Sequence, residues 1–395
     1  MQTFHLHGVG LGNLAATYFY SFLVTQLFSG YLLDRFSPRL LTTAAIALCA
    51  VGIGWFSQAH TLLTAECARI LMGIGVAFAT VSYLKQASVW FPSHRLAFIS
   101  GLLATAVGIG ALAGQSPLAH LVAQAGWRNA LLDCALLGAA ITIIYFALVR
   151  DPKTPPSSST QTVINFTAIK AVFKKPTNWI VACYSGLAFS PLAVFGGLWG
   201  NPFLESSYHL TTVQAAQHIT LAFIGLGIGS PLLGWIADRW HCRLEIMISA
   251  TLLSLISLST VIFISPLNNF WLSLNLLLFG MGTSGFMLGF SVAKSLNSPT
   301  VAATVIAMIN TGDALFGAVT EPLVGALLDH HHLGKSPIFT QQDYQSALVI
   351  LPFYLILALA CAIWIRSYTS RQITFSQSEA LDQHTRRIYT QPQES

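Results

Sequence analysis

Long apolar runs separated by short polar breaks fill most of the chain, and only a stretch near the middle and the last residues depart from that pattern. Taking about 20 apolar residues as one passage through a bilayer, runs fall at 11–33, 40–59, 62–84, 96–119 and 129–149. They resume at 179–198, 213–236, 246–264, 270–293, 301–328 and 344–365. An open backbone in lipid would leave amides and carbonyls unpaired at several kcal/mol each, so runs of this length predict helices. The pattern therefore predicts an all-α membrane protein with eleven transmembrane helices.

The breaks contain a repeat. GYLLDRFSPR, from Gly30 to Arg39, ends one run and opens the next, and GWIADRWHCR, from Gly234 to Arg243, does the same 204 positions later. Both fit GxxxDRxxxR, with Gly30, Asp34, Arg35 and Arg39 answered by Gly234, Asp238, Arg239 and Arg243. Charges that return at identical spacing in so apolar a chain mark an internal repeat, here two related helical bundles with equivalent tight loops.

Composition agrees with this reading. Hydrophobic residues make up 54% and charged residues 8%, against about 25% charged in soluble domains. Threading the runs alternately gathers all 19 Lys and Arg on one side except Arg128 and Lys335 in opposite loops and Arg69 within a run. The positive-inside rule makes the rich side cytoplasmic; Met1 is expected outside and Ser395 inside. A formal net charge of +5 spread over short loops gives no basic groove for nucleic acid.

The six cysteines form no CxxC pair and read as small packing residues rather than disulfides or metal ligands. No HExxH, GxSxG or P-loop pattern is present, so neither an enzyme nor a bound cofactor or metal is expected. The opening residues lack the basic start of a cleavable leader. The polar stretches divide the chain into a first bundle at 1–149, a cytoplasmic linker at 150–178, a second bundle at 179–366 and a disordered tail at 367–395. Within the linker, DPKTPPSSST reads as a spacer and FTAIKAVFKKP as a helix lying on the anionic inner leaflet.

These motifs resemble the signatures of the major facilitator superfamily of secondary transporters. The two GxxxDRxxxR loops are similar to that family's signature between its second and third helices and to the weaker copy in its second half. Arg69, Gly73 and Gly75 in ARILMGIG match its Arg-x-x-x-Gly-x-Gly pattern on the fourth helix. The resemblance implies a two-bundle fold of six plus six helices. Because the first signature loop here follows the first run, the expectation is that fold without its first helix. The resemblance also implies that Asp34 and Asp238, with their neighbouring arginines, act as a cytoplasmic latch between the bundles.

Ionisable groups inside a bilayer are costly, and those present are functional candidates. Glu66 and Arg69 are three residues apart on one helix face, so they are expected to pair. Asp133, Asp313 and Glu321 also lie within runs; Asp133 and Glu321 read as close enough to the outer surface to be simply wet. Tyr83, Gln115, Tyr184, Trp199, Asn275 and Asn310 are the uncharged cavity candidates, although polar residues in membrane helices commonly serve to hold helices together. Glycines at 108, 110 and 114 and at 225, 227 and 229 suggest close helix contact. His330, His331 and His332 read as a solvated turn.

Helix seven's GLWGNPFL and helix twelve's YQSALVILP resemble the bacterial intraphagosomal amino acid transporters and the lysosomal dipeptide carriers. The expected function is proton-coupled uptake of an amino acid or short peptide by a monomer in a cell membrane, the bacterial inner membrane foremost. The alternatives are an organic-anion or sugar-acid symporter, and a truncated, non-transporting relative.

Overall fold

The computed structural model describes residues 6–91, 96–151, 170, 172–264, 266–298, 301–332 and 339–369, and among these every regular element is helical. The helices are α1 (Gly8–Arg35), α2 (Pro38–Ser57), α3 (Leu62–Val76 continued by Ala79–Trp90), α4 (Leu96–Ala113 continued by Ser116–Ala125) and α5 (Trp127–Leu148). In the second half they are α6 (Pro176–Val194, a π-helical turn at Phe195–Trp199, then Gly200–Tyr208), α7 (Thr212–Arg239), α8 (Arg243–Phe263), α9 (Asn269–Thr283 continued by Phe286–Ser295), α10 (Ala302–His331) and α11 (Gln341–Thr369). The linker residues 152–169, which hold the first four residues of the expected interfacial helix, residue 171 and the tail from 370 lie outside the described residues, while 172–174 are helical.

Local chemistry places the helix starts. Ser37 caps α2 by accepting from Leu40 N, with Pro38 at the first helical position. Thr61, Thr211 and Thr340 each close a reciprocal capping box at the start of α3, α7 and α11. The polar breaks read from sequence are thus sites where side chains take over backbone donors that a helix end leaves unpaired.

Nine of the described helices, α2 to α9 and α11, are long and apolar enough to cross a membrane. α1 and α10 are long enough as well and carry polar residues within their runs. α1 carries Asn13, Thr17, Tyr18, Tyr20, Ser21, Thr25 and Gln26, and α10 carries Asn310, Thr311, Asp313, Thr320 and Glu321. These two helices pack against each other, α1 also against α3 and α10 also against α6. The polar residues that dilute both helices are therefore those of a protein seam.

The repeat extends beyond the signature loops. α3 breaks just after Gly73 and Gly75, and α9 breaks just after Gly280 and Gly282, 207 positions later in each case. In both copies the two glycines let neighbouring backbones touch: a Cβ on Gly75 would fall 2.5 Å from the Ala45 carbonyl oxygen of α2, and one on Gly282 would fall 2.5 Å from the Ala250 carbonyl oxygen of α8. The expected close contact at 225 and 229 is present as well, whereas Gly108, Gly110 and Gly227 have nothing within 4 Å of an added Cβ. Two large buried clusters fill α6–α11, while α5 turns most of its apolar side chains outward, as a lipid-facing helix would.

Candidate functional site

The seam between α1 and α10 is tightest at its outer end. Asp329 of α10 accepts hydrogen bonds from Gly8 N at 2.7 Å and Val9 N at 2.8 Å, so it caps the first turn of α1 from the other half of the molecule. Below it, a Cβ on Gly12 would lie 2.5 Å from the Glu321 carbonyl oxygen. α4 closes the other side: Gln115 Nε2 donates to Gly196 O of α6 at 2.9 Å, and Ser116 N donates to Thr220 Oγ1 of α7 at 3.3 Å. The two halves meet at the ends opposite the signature loops.

Just inside this closure stands Arg69 of α3. Its Nη2 donates to Ala15 O of α1 at 2.6 Å, its guanidinium lies 5.8 Å from the centroid of the Tyr18 ring, and its buried Nε has no partner among the described residues. The expected pairing with Glu66 does not form; Glu66 is half-buried and the charge acting on Arg69 is that of Glu321, on the opposite half. The reason is direction: Arg69 points across to α1 and the seam, where Tyr18 offers a π face and Ala15 a backbone carbonyl.

Glu321 is 4% exposed and its Oε2 has no hydrogen-bond partner, which corrects the expectation of a wet residue at the outer surface. The π turn of α6 and the seam enclose it. Among the described residues the ion pairs are Asp238–Arg243, His332–Asp343 and Glu245–Arg366, so Arg69 and Glu321 face each other without closing into a direct pair. The repeat register sharpens the meaning of Arg69. The position 207 further on is Leu276 of α9, fully buried in the core of the second half. The same helix, with the same glycines and the same break, is built there with leucine, so packing does not require the arginine.

Asp313 is 8% exposed, about two turns deeper along α10, with Oδ1 unpartnered and the Ser185 hydroxyl of α6 facing it. Asn310 is half-buried beside it, and Thr311 bonds back to Ala307 O of its own helix. A chain of hydroxyls continues outward: Ser190 to Thr320 at 3.3 Å and Thr320 to Tyr354 at 3.2 Å.

Several sequence candidates are buried in packing or bonded to the backbone, or lie on an exposed face. Tyr184 is fully buried between α6 and α8, its hydroxyl 3.3 Å from Thr251 Oγ1. Trp199 is fully buried and donates to Glu321 O at 3.2 Å, which anchors the π turn to α10. Asn275 bonds to Trp271 O of its own helix, and Asp133 is exposed on α5. Tyr83 is half-buried on α3. Of the candidates, the structure brings Arg69 and Gln115 to the seam with Asp313 below them; Glu321, Tyr18 and Asp329 are the additions. Asp313, Gly317 and Glu321 recur every four residues on α10, a stripe that periodicity alone could have exposed.

At the ends of the helices away from this closure, each signature loop is tied to its own half. Arg39 donates to Phe146 O of α5 and stacks on the Phe146 ring at 4.2 Å, while Asp151 accepts from Arg39 N at 3.1 Å and from Ser37 Oγ. Arg243 donates to Asp238 at 2.7 Å within its own loop, Arg239 is exposed, and Gly30 and Gly234 meet nothing within 4 Å. Arg35 lies over Tyr31 of its own helix. The side chain of Asp34 lies outside the described residues. A groove of about 510 Å³ beside the second loop is lined by Asp238, Arg243, Glu245 and Arg366, all paired.

Comparison with known proteins follows the same lines. The chain is 24% identical over 255 residues to the MFS-type transporter YhjX of Escherichia coli (strain K12), covering 62% of this chain and 60% of that one. It is 22% identical over 247 residues to the "Probable L-galactonate transporter" of the same organism (59% and 54%). It is 21% identical over 345 residues to the "Probable sulfoacetate transporter SauU" of Cupriavidus necator (81% and 78%). The chain thus spans little more than half the length of the first two. Among solved structures, a bacterial homolog of the human lysosomal transporter Spinster, inward-facing and unoccupied, superposes with a TM-score of 0.73 at 15% identity, over 92% of this chain and 90% of that one. These relatives are transporters by name, not enzymes. The family model described as "Major Facilitator Superfamily" matches residues 1–321 and 195–382, which together take in almost the whole sequence, and the chain belongs to that superfamily of multi-pass membrane transporters.

Proposed function

We propose that the protein is a secondary transporter of a small organic anion, working by alternating access of its two halves, with Arg69 as the group that takes the anion. One observation carries this: at the seam Arg69 of the first half has a buried Nε with no partner among the described residues, and Glu321 of the second half is buried with Oε2 unpartnered, yet the two form no ion pair. A buried charge without a partner costs several kcal/mol, so Arg69 draws a carboxylate or sulfonate, and a planar fork binds either at two points. Once an anion occupies Arg69, Glu321 loses its counter-charge and a proton on Glu321 becomes favourable, which couples the two as symport. The names of two relatives, for L-galactonate and sulfoacetate, support an acid as the solute. The bacterial sources of these relatives support the inner membrane as its location.

The test is uptake of radiolabelled L-galactonate and sulfoacetate into proteoliposomes under an imposed inward proton gradient. The reading expects accumulation of an acid above equilibrium, lost in Arg69→Lys, and, in Glu321→Gln, exchange without gradient-driven accumulation. Wild-type kinetics in Arg69→Lys would sink it. A second reading, uptake of an amino acid or short peptide, is favoured by Asp313, whose unpartnered Oδ1 suits an ammonium group. Competition by L-alanine and dialanine in the same vesicles separates the two.

A further inference from the structure

The π turn of α6 contains glycines at 196 and 197 and is followed by Gly200, and the three are not equivalent. A Cβ on Gly196 would meet the Phe223 ring of α7 at 2.9 Å, and one on Gly200 would meet Ile219 Cδ1 at 2.8 Å and the Phe195 ring at 2.9 Å. Both positions are buried, and packing alone accounts for their glycines. Gly197 is different. It is exposed, its backbone conformation is not the left-handed one that demands glycine, and within 4 Å a Cβ there would meet a single atom, Glu321 Oε1 at 4.0 Å. The residues around it are fixed: Gln115 holds Gly196 O from the first half, Trp199 bonds Glu321 O, and Phe195 and Trp199 are fully buried. A π turn of this kind inside an α-helix redirects the residues it contains and is frequent at functional sites.

We propose that Gly197 is the aperture of the Glu321 site, so that the size of the side chain at position 197 determines which chemical groups reach the Glu321 carboxyl from the space between the halves. Sterically, this position tolerates a methyl group, since 4.0 Å is an ordinary contact. A longer side chain starts from a Cβ whose one contact within 4 Å is the Glu321 carboxyl. Substitution here should therefore separate access from folding, which substitution at 196 or 200 cannot do. The inference rests on the seam being the solute path, but it is tested without any solute.

The probe is dicyclohexylcarbodiimide, a bulky apolar reagent that converts protonated carboxyls in membranes to stable acylureas, applied to the full-length protein in mildly acidic liposomes and read by mass spectrometry of the peptides containing Glu321 and Asp313. Wild type and Gly197→Ala should be modified at Glu321. Gly197→Leu should lose that adduct while keeping its elution volume on size exclusion and an unchanged adduct yield at Asp313. Equal modification of Glu321 in Gly197→Leu and wild type, or no modification of Glu321 in wild type, overturns the proposal. If Gly197→Leu does not insert, Gly197→Val takes its place with the same two outcomes. A wild type that transports no organic acid yet shows this pattern retires the functional reading and leaves the aperture standing; acid transport without the pattern does the reverse.

Discussion

Removing the Asp329 carboxylate should loosen the outer closure by a measurable amount. In the closed seam it accepts from Gly8 N at 2.7 Å and Val9 N at 2.8 Å, and no side chain of α1 caps these donors, since His7 at the N-cap position makes no such bond. A charged acceptor at a helix N-terminus is worth about 0.5–2 kcal/mol. The Val9 bond is exposed, so water replaces part of the loss, and about 1 kcal/mol is the working figure for Asp329→Ala. That shifts the ratio of outer-open to outer-closed molecules by a factor of about 5. Asp329→Asn keeps an acceptor and loses only the charge, so it should shift the ratio by less. Spin labels at Gln124, near the outer end of α4, and Thr212, at the start of α7, report the distance between halves by pulsed electron resonance. The reasoning expects a longer-distance population that grows in the order wild type, Asn, Ala. Identical distance distributions in wild type and Asp329→Ala would show that the carboxylate does not hold the closure.

Other outcomes follow from the same geometry. Arg69→Leu, which installs the residue that the repeat carries at 276, should insert and melt no lower than wild type, because replacing a buried charge with a packed apolar side chain is often neutral or stabilising by about 1–4 kcal/mol; solute flux should fall to background, and a lower melting temperature with intact flux would contradict the site. Tyr184→Phe removes long hydrogen bonds in the core of the second half and should cost about 0.5–1.5 kcal/mol of stability with unchanged apparent affinity for the solute; a changed affinity would return Tyr184 to the cavity. Gly282→Val should destabilise by about 1–3 kcal/mol through overpacking against α8, seen as a lowered melting temperature in detergent, whereas Gly227→Val, with open space around it, should not.

The helices and the two-fold repeat were legible in the sequence because the bilayer imposes a length and an apolarity that few other constraints imitate. α1 and α10 carry polar residues inside their runs, and those residues serve a seam between halves, a role that a run of apolar residues does not announce. Arg69 was legible because a guanidinium in a run of apolar residues has few explanations. The carboxylate that joins it at the seam was not, because spacing along one helix can only nominate neighbours such as Glu66, while Glu321 reaches the seam from another helix, 252 positions away. Tyr184 and Trp199 carried polar atoms that sequence could not distinguish from cavity-lining ones; their burial depends on the helices packed around α6. The break in α9 after Gly280 and Gly282 could have been read beforehand by laying it over the Gly73 and Gly75 pair.

That paired break has a consequence for how the protein could acquire new solutes. One bent helix is built twice from the same parts, and the two copies differ where it counts: arginine at 69, leucine at 276. The duplicated scaffold supplies a spare. One copy can hold the fold steady while the other accumulates costly polar groups, and the division of labour is written at a single register position. A related chain carrying its charge on the second copy would present its anion-binding group from the opposite wall, with the rest of the framework unaltered.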